Sequence, residues 1–118
     1  MTATLSDTSA AEDALEATPC PMPQIAQLIG GKWKLIVLQI LIFQGTHRFN
    51  ELRRRVGDIT QTMLTSQLRA LEADGLVTRT VYAEVPPRVE YCATETARGL
   101  IPMFKAMHAW WRSVDSKT

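Results

Sequence analysis

The sequence predicts a mainly α fold that carries one small β-hairpin, with helices at both ends. Three observations predict it. Apolar residues recur at helical spacing in four segments between about 33 and 114. Two of those segments are separated by only residues 57–59, the spacing of a helix-turn-helix. The stretch "TRTVYAEVPPRVEYCAT" at 78–94 reads as two β-type runs around a proline-rich tip.

Taken in order, residues 1–18 are rich in Ala, Thr, Ser and acids and lack a core-forming pattern. They are expected to form a loose acidic tail, ahead of one domain over 19–118. In "TPCPMPQIAQLIGG" the prolines suit a helix start and the paired glycines its end, so a short helix is expected from about Pro23 to Leu28. "KWKLIVLQILIFQG" places Trp33, Ile36, Val37, Ile40 and Leu41 at helical spacing. Its β-branched content also allows a strand, but its length and Gly45 favour a largely buried helix. "HRFNELRRRVG" is a shorter helix with a stripe of Phe49, Leu52 and Val56. Arg53, Arg54 and Arg55 complement the dipole of its last turn, and Gly57 supplies the stop. Thr60 is a good N-cap for the next helix, Leu64, Leu68 and Leu71 form its buried stripe, and Gly75 ends it.

The hairpin that follows has no Asn-Gly or Asp-Gly turn. Pro86 and Pro87 fix φ twice, which predicts a stiff, extended, projecting tip that bears Arg88. In the last segment Leu100, Phe104, Met107, Trp111 and Val114 step by four, three, four and three, a heptad spacing. Pro102 predicts a kink or restart inside it. So large an apolar stripe on a small domain predicts a homodimer. The dimerisation helix would span about 95–114, with Leu100, Phe104, Met107 and Trp111 in the interface.

Composition narrows the function. No run of eighteen apolar residues exists and no secretory signal opens the chain, so neither a membrane span nor export is expected. Cys20 and Cys92 are far apart, which favours a reducing cytoplasm over a disulfide scaffold. Asp7, Glu12, Asp13 and Glu16 give residues 1–18 a charge of −4, leaving +5 for the rest of a chain whose total is +1. A basic body fits a nucleic-acid partner. His47, His108, Cys20 and Cys92 lack metal-site pair spacing, "IGGK" is too short for a phosphate loop, and no nucleophile–base constellation is visible. No metal, cofactor or catalytic site is therefore expected.

Helix, helix, helix-turn-helix, hairpin and long helix, in that order, describe a winged helix with terminal dimerisation helices. Its expected partner is double-stranded DNA. With the leucine stripe buried, the second helix of the pair would present Gln61, Thr62, Thr65, Ser66 and Arg69 to the major groove. Gln61 suits adenine and Arg69 a guanine or a phosphate. Arg88 in the wing and Arg54 and Arg48 beside the helix pair complete the set of DNA-contact candidates. The alternative is a winged helix used only for protein contacts, whose sign would be an apolar or acidic exposed helix face.

The chain also resembles the HxlR-type winged-helix transcriptional regulators across about 20–111. The pieces that carry the resemblance are "IGGKWKLIVLQIL", "GTHRFNELRRRVGDIT", "LTSQLRALEADGLVTRTVYAEVPPRVEY" and Thr94-Glu95. The family typically has leucine where Ala93 stands and glycine where Ala97 stands. The resemblance implies a homodimeric repressor or activator acting near its own gene; a repressor is expected here. Some members sense quinones, hypochlorite or other electrophiles with a cysteine at the position of Cys20, which makes Cys20 a redox-sensing candidate and a small electrophile or ligand a candidate partner. The residues add their own reading. If Pro21 opens the first helix, Cys20 is its N-cap, where backbone amides favour a thiolate.

Overall fold

The computed structural model describes residues 20–115; the acidic tail lies outside the described residues. Among the described residues, six helices and three short strands follow one another. They are α1 (Met22–Ile29), α2 (Lys34–Gln44), β1 (His47–Arg48), α3 (Phe49–Val56), α4 (Gln61–Ala73), β2 (Val77–Tyr82), β3 (Arg88–Ala93), α5 (Glu95–Arg98) and α6 (Ile101–Asp115). The expected mainly α fold with one hairpin is present. The strands form an antiparallel sheet in the order β1-β3-β2.

Helix α2 sits at the centre, with Val37, Leu38 and Leu41 fully buried, and it packs against α3, β3 and α5. Being apolar nearly all round, it offers only a weak periodicity from which to choose a face. Ile36, expected among its core positions, is in fact exposed. Leu52 of α3 and Leu64, Leu68 and Leu71 of α4 close the core from below, as their spacing predicts. Trp33 packs at the core edge; Lys32 lies over its ring at 4.5 Å, and Lys34 donates to the Gln27 carbonyl at 3.1 Å. Both lysines thus have partners within the chain.

The segment "HRFNELRRRVG" predicts a helix that includes His47 and Arg48, whereas they form β1. Pairing of His47 with Tyr91 and Arg48 with Glu90 adds a third strand to the hairpin. His47 is buried and its Nδ1–H donates to the Gly45 carbonyl at 2.7 Å. Helix α3 begins only after Arg48, whose backbone N–H donates to the Glu51 carboxylate at 2.9 Å. That hydrogen bond holds the Glu51 carboxyl below the usual carboxylate range.

At the other end, the restart expected at Pro102 is present. Thr94 caps the short α5, and α6 opens at Ile101 with Pro102 in its first turn, where a missing N–H costs nothing. Ala93 and Ala97 are both buried at this junction.

Candidate nucleic-acid interface

The helix pair is built by local chemistry. Gly57 adopts φ +100, a left-handed conformation open to glycine, and lets the chain leave α3 sharply. Ile59 is buried beneath the turn, and its carbonyl accepts a hydrogen bond from Arg53 Nε at 3.1 Å. Arg53 is therefore used to hold the turn. Thr60 Oγ1 accepts the Met63 N–H at 3.1 Å and caps α4 as predicted.

With its leucines inward, α4 turns Gln61, Thr62, Thr65, Ser66 and Arg69 toward one shallow surface concavity, so the structure brings all five predicted residues together. Among the described residues the side chains of Gln61, Thr62, Ser66 and Arg69 have no hydrogen-bond or ion-pair partner. Thr65 differs. Its hydroxyl donates to the Gln61 carbonyl at 2.8 Å, which leaves it only acceptor capacity toward a ligand. Met63, exposed on the flank of this face and fixed by a Gln67 Nε2–H donated to its sulfur at 3.4 Å, is a contact candidate that the sequence reading missed.

A second groove lies between α3 and the wing. Arg48, Arg54 and Arg88 line it together with Asn50, Glu51 and Glu84. Arg54 and Asn50 also face the concavity beside the 57–59 turn. Asn50 stands four residues before Arg54 and so on the same helical face, a spacing visible in the sequence.

The wing differs from expectation. Its tip bends at Val85 and Pro86, joined by a cis peptide bond, and is not extended. Val85, not Arg88, is the fully exposed side chain. Arg88 opens β3 opposite Tyr82, with its guanidinium 4.0 Å from the Tyr82 ring centroid. Carboxylates of Glu84 at 3.5 Å and Glu90 at 3.7 Å hold it from either side. The arginine lies back along the hairpin because this clasp forms across the strand register.

The two terminal features also need correction. Helix α1 is capped by Pro21, so Cys20 lies one residue before the cap and is not the N-cap. It is exposed; Cys92 is half-buried in β3 and its thiol faces the Ala93 carbonyl at 3.5 Å. Phe104, expected at a dimer interface, is 2% exposed and belongs to the core. Its ring meets Phe43 edge-on at 5.9 Å. Leu100 also packs against the core, while Met107 and Trp111 remain exposed and are joined by Trp110. Among the described residues no single helix is long and apolar enough to cross a membrane.

These features agree with what the chain is similar to. The family profile for HxlR-like helix-turn-helix proteins matches residues 28–117. The uncharacterized HTH-type transcriptional regulator YybR of Bacillus subtilis (strain 168) is 52% identical over 94 residues, which cover 80% of this chain and 74% of that protein. The oxidized form of the redox regulator HypR is 51% identical with a TM-score of 0.73, over 80% of this chain and 96% of that one. The reduced form of the transcriptional regulator YodB from B. subtilis is 34% identical with a TM-score of 0.70, over 79% and 91%. The chain belongs to the HxlR-like helix-turn-helix family of transcriptional regulators, and its relatives are regulators, not enzymes.

Proposed function

We propose that this protein is a cytoplasmic, homodimeric repressor that reads a near-palindromic operator with α4. The carrying observation is the outer face of that helix, where Gln61, Thr62, Ser66 and Arg69 stand without partners behind a capped N-terminus. A polar, basic face of this kind does not fit a winged helix used only for protein contacts. In this reading Gln61 pairs with a base edge, Arg69 with a guanine or a phosphate, Thr62 and Ser66 contact bases or backbone, and Thr65 meets bases only. Arg48, Arg54 and Arg88 neutralise phosphates along the wing groove. Arg88 does so after exchanging Glu84 or Glu90 for a phosphate.

The dimer would form through α6, where Met107, Trp110 and Trp111 expose a contiguous apolar surface. Two reading helices related by a two-fold would then meet half-sites about one helical turn apart. Regulation would act through Cys20. Its support is the thiol's exposure and the chain's likeness to the redox regulator HypR. An oxidant such as diamide would take up the two thiol hydrogens of a Cys20 pair and leave a disulfide across the dimer. A small rotation of the subunits then mis-spaces the reading helices. The domain would run over 19–118 behind the acidic tail at 1–18, with about 95–114 as its dimerisation segment.

The test is DNase protection on the DNA flanking the protein's coding region, with a salt titration of the protected fragment. Protection of two half-sites about ten base pairs apart, weakening steeply with salt, is expected. Uniform, salt-insensitive absence of protection would refute the DNA reading and leave the protein-contact alternative.

A further inference from the structure

Helix α6 has two faces, and the proposed interface uses only the one that carries Met107, Trp110 and Trp111. The other face forms a cavity of about 320 Å³ with α2. That volume is at the lower end of the roughly 300–1,000 Å³ typical of small-molecule sites. Phe104 of α6 and Phe43 of α2 supply an aromatic floor, their rings at 88° to one another. Phe43 is 46% exposed there, an unusual position for so large an apolar ring unless something covers it. Gln39, Lys105, His108 and Arg112 complete the lining together with Ala109. The spacing is helical: positions 104, 108 and 112 stack along one row of α6, with 105 and 109 beside them.

The electrostatics are one-sided. No carboxylate lines this cavity, and among the described residues neither Lys105 nor Arg112 has an ion-pair partner. Gln39 Nε2 and His108 Nε2 lie 3.1 Å apart, with the amide N–H donating to the ring nitrogen. That contact ties the two helices across the cavity and leaves the Gln39 carbonyl oxygen and the His108 Nδ1–H as neutral polar groups. The charged groups of the lining are two cations, set beside an aromatic floor.

We propose that the α2–α6 cavity binds a small aromatic carboxylate. The ring packs against Phe43 and Phe104, where aromatic pairs gain from offset or edge-on contact. The carboxylate meets the planar fork of Arg112, which matches two oxygens at once, with Lys105 as a second point charge. A neutral aromatic leaves both cations unpaired, and an aliphatic acid leaves Phe43 uncovered, so both halves of the ligand are required. This inference does not depend on which DNA the protein reads or on Cys20.

The test uses the full chain, titrated separately with benzoate, phenylacetate and 1-naphthoate and followed by calorimetry and NMR. Benzamide controls for the missing charge and acetate for the missing ring. Saturable binding of at least one aromatic acid is expected, with its control compounds about tenfold weaker or more, because a charged hydrogen-bonded pair is worth about that factor. The exposed double variant K105Q/R112Q should weaken the acid about tenfold or more, while Arg55→Gln, remote from the cavity lining, should leave it unchanged. Absence of saturation by all three acids up to about 20 mM, or undiminished binding to K105Q/R112Q, overturns the proposal. So does a result in which K105Q/R112Q instead weakens self-association in sedimentation and no acid binds, since a second copy of the chain would then occupy the cavity.

Discussion

Thr94 joins the reading half of the protein to its C-terminal arm, and replacing it tests that joint. Its Oγ1 accepts the Ala97 N–H at 3.2 Å, capping α5, and donates its own proton to the Gly75 carbonyl at 2.7 Å, where α4 gives way to the wing. Its backbone N–H reaches the Leu76 carbonyl at 3.2 Å. Thr94→Val keeps the shape and the β-branch while deleting both side-chain hydrogen bonds. Loss of a cap costs about 1 kcal/mol. Loss of the second bond adds roughly 0.5–1.5 kcal/mol, at the lower end because Gly75 is exposed and water can hydrate its carbonyl. The expected total is about 1.5 kcal/mol. Thr94→Ser keeps the hydroxyl and should lose less than about 1 kcal/mol, the value of one methyl group. With a urea m-value of about 1–3 kcal/mol/M, the valine variant should unfold roughly 1 M earlier. Both variants must be compared at one chain concentration, because self-association shifts the midpoint. Equal midpoints for Thr94→Val and Thr94→Ser would show that the hydroxyl does not hold the joint.

Four further outcomes are expected. Gln61→Ala should cost about 1–3 kcal/mol on the operator and much less on random DNA, whereas Arg54→Ala should weaken both alike and lower the salt slope by about one; proportional losses for both variants would undo this division of roles. Phe104→Ala should destabilise the fold by about 3–5 kcal/mol, while Trp111→Ala should leave the core intact and shift sedimentation toward the monomer; a stable Phe104→Ala that dissociates would restore the heptad reading. The Glu51 carboxyl is depressed by the Arg48 N–H, so its contribution is present above the ordinary carboxylate range and lost as pH falls through its folded value. Acid titration of stability should therefore fall less steeply in Glu51→Gln, whose amide oxygen still accepts that bond. Diamide should reduce operator affinity in wild type but not in Cys20→Ser; loss of affinity in both would exclude Cys20 as the sensor.

What the sequence disclosed depends on the range of the forces involved. The helix pair was legible because Gly57, Thr60 and the Leu64, Leu68, Leu71 stripe act within a few residues of themselves. Strand β1 was not, since two residues carry no period and His47 finds Tyr91 only across the folded chain. The Arg88 clasp was hidden for the same reason. Glu84 and Arg88 are four apart, but no helix connects them, and Tyr82 enters only through the hairpin register. The Cys20 cap failed on one residue: two prolines, Pro21 and Pro23, bracket the start, and proline is tolerated both at the cap and just inside it. The five residues of the proposed reading face line one concavity because burial of one side of a capped helix determines the other.

Helix α6 shows why a correct period can still assign a wrong partner. Leu100, Phe104, Met107, Trp111 and Val114 form one stripe at heptad spacing, which a straight helix turns by only about 20° per heptad, so position along the axis divides it. Phe104, in the part of α6 that lies against α2, meets Phe43 and is buried within its own chain. Met107, Trp110 and Trp111, at i, i+3 and i+4, keep to a single outward face and stay 42%, 64% and 57% exposed. The stripe is thus divided between an inner edge that completes the core and an outer edge with nothing of its own chain to cover it. The proposed two-fold partner would resolve the imbalance, because in an isologous contact every buried side chain is counted in both subunits. Two exposed tryptophans per chain would become four per dimer, and tryptophan is among the residues that dominate interface energetics. One substitution at Trp111 would then remove two of those four, so its expected effect on association is felt from both sides of the axis.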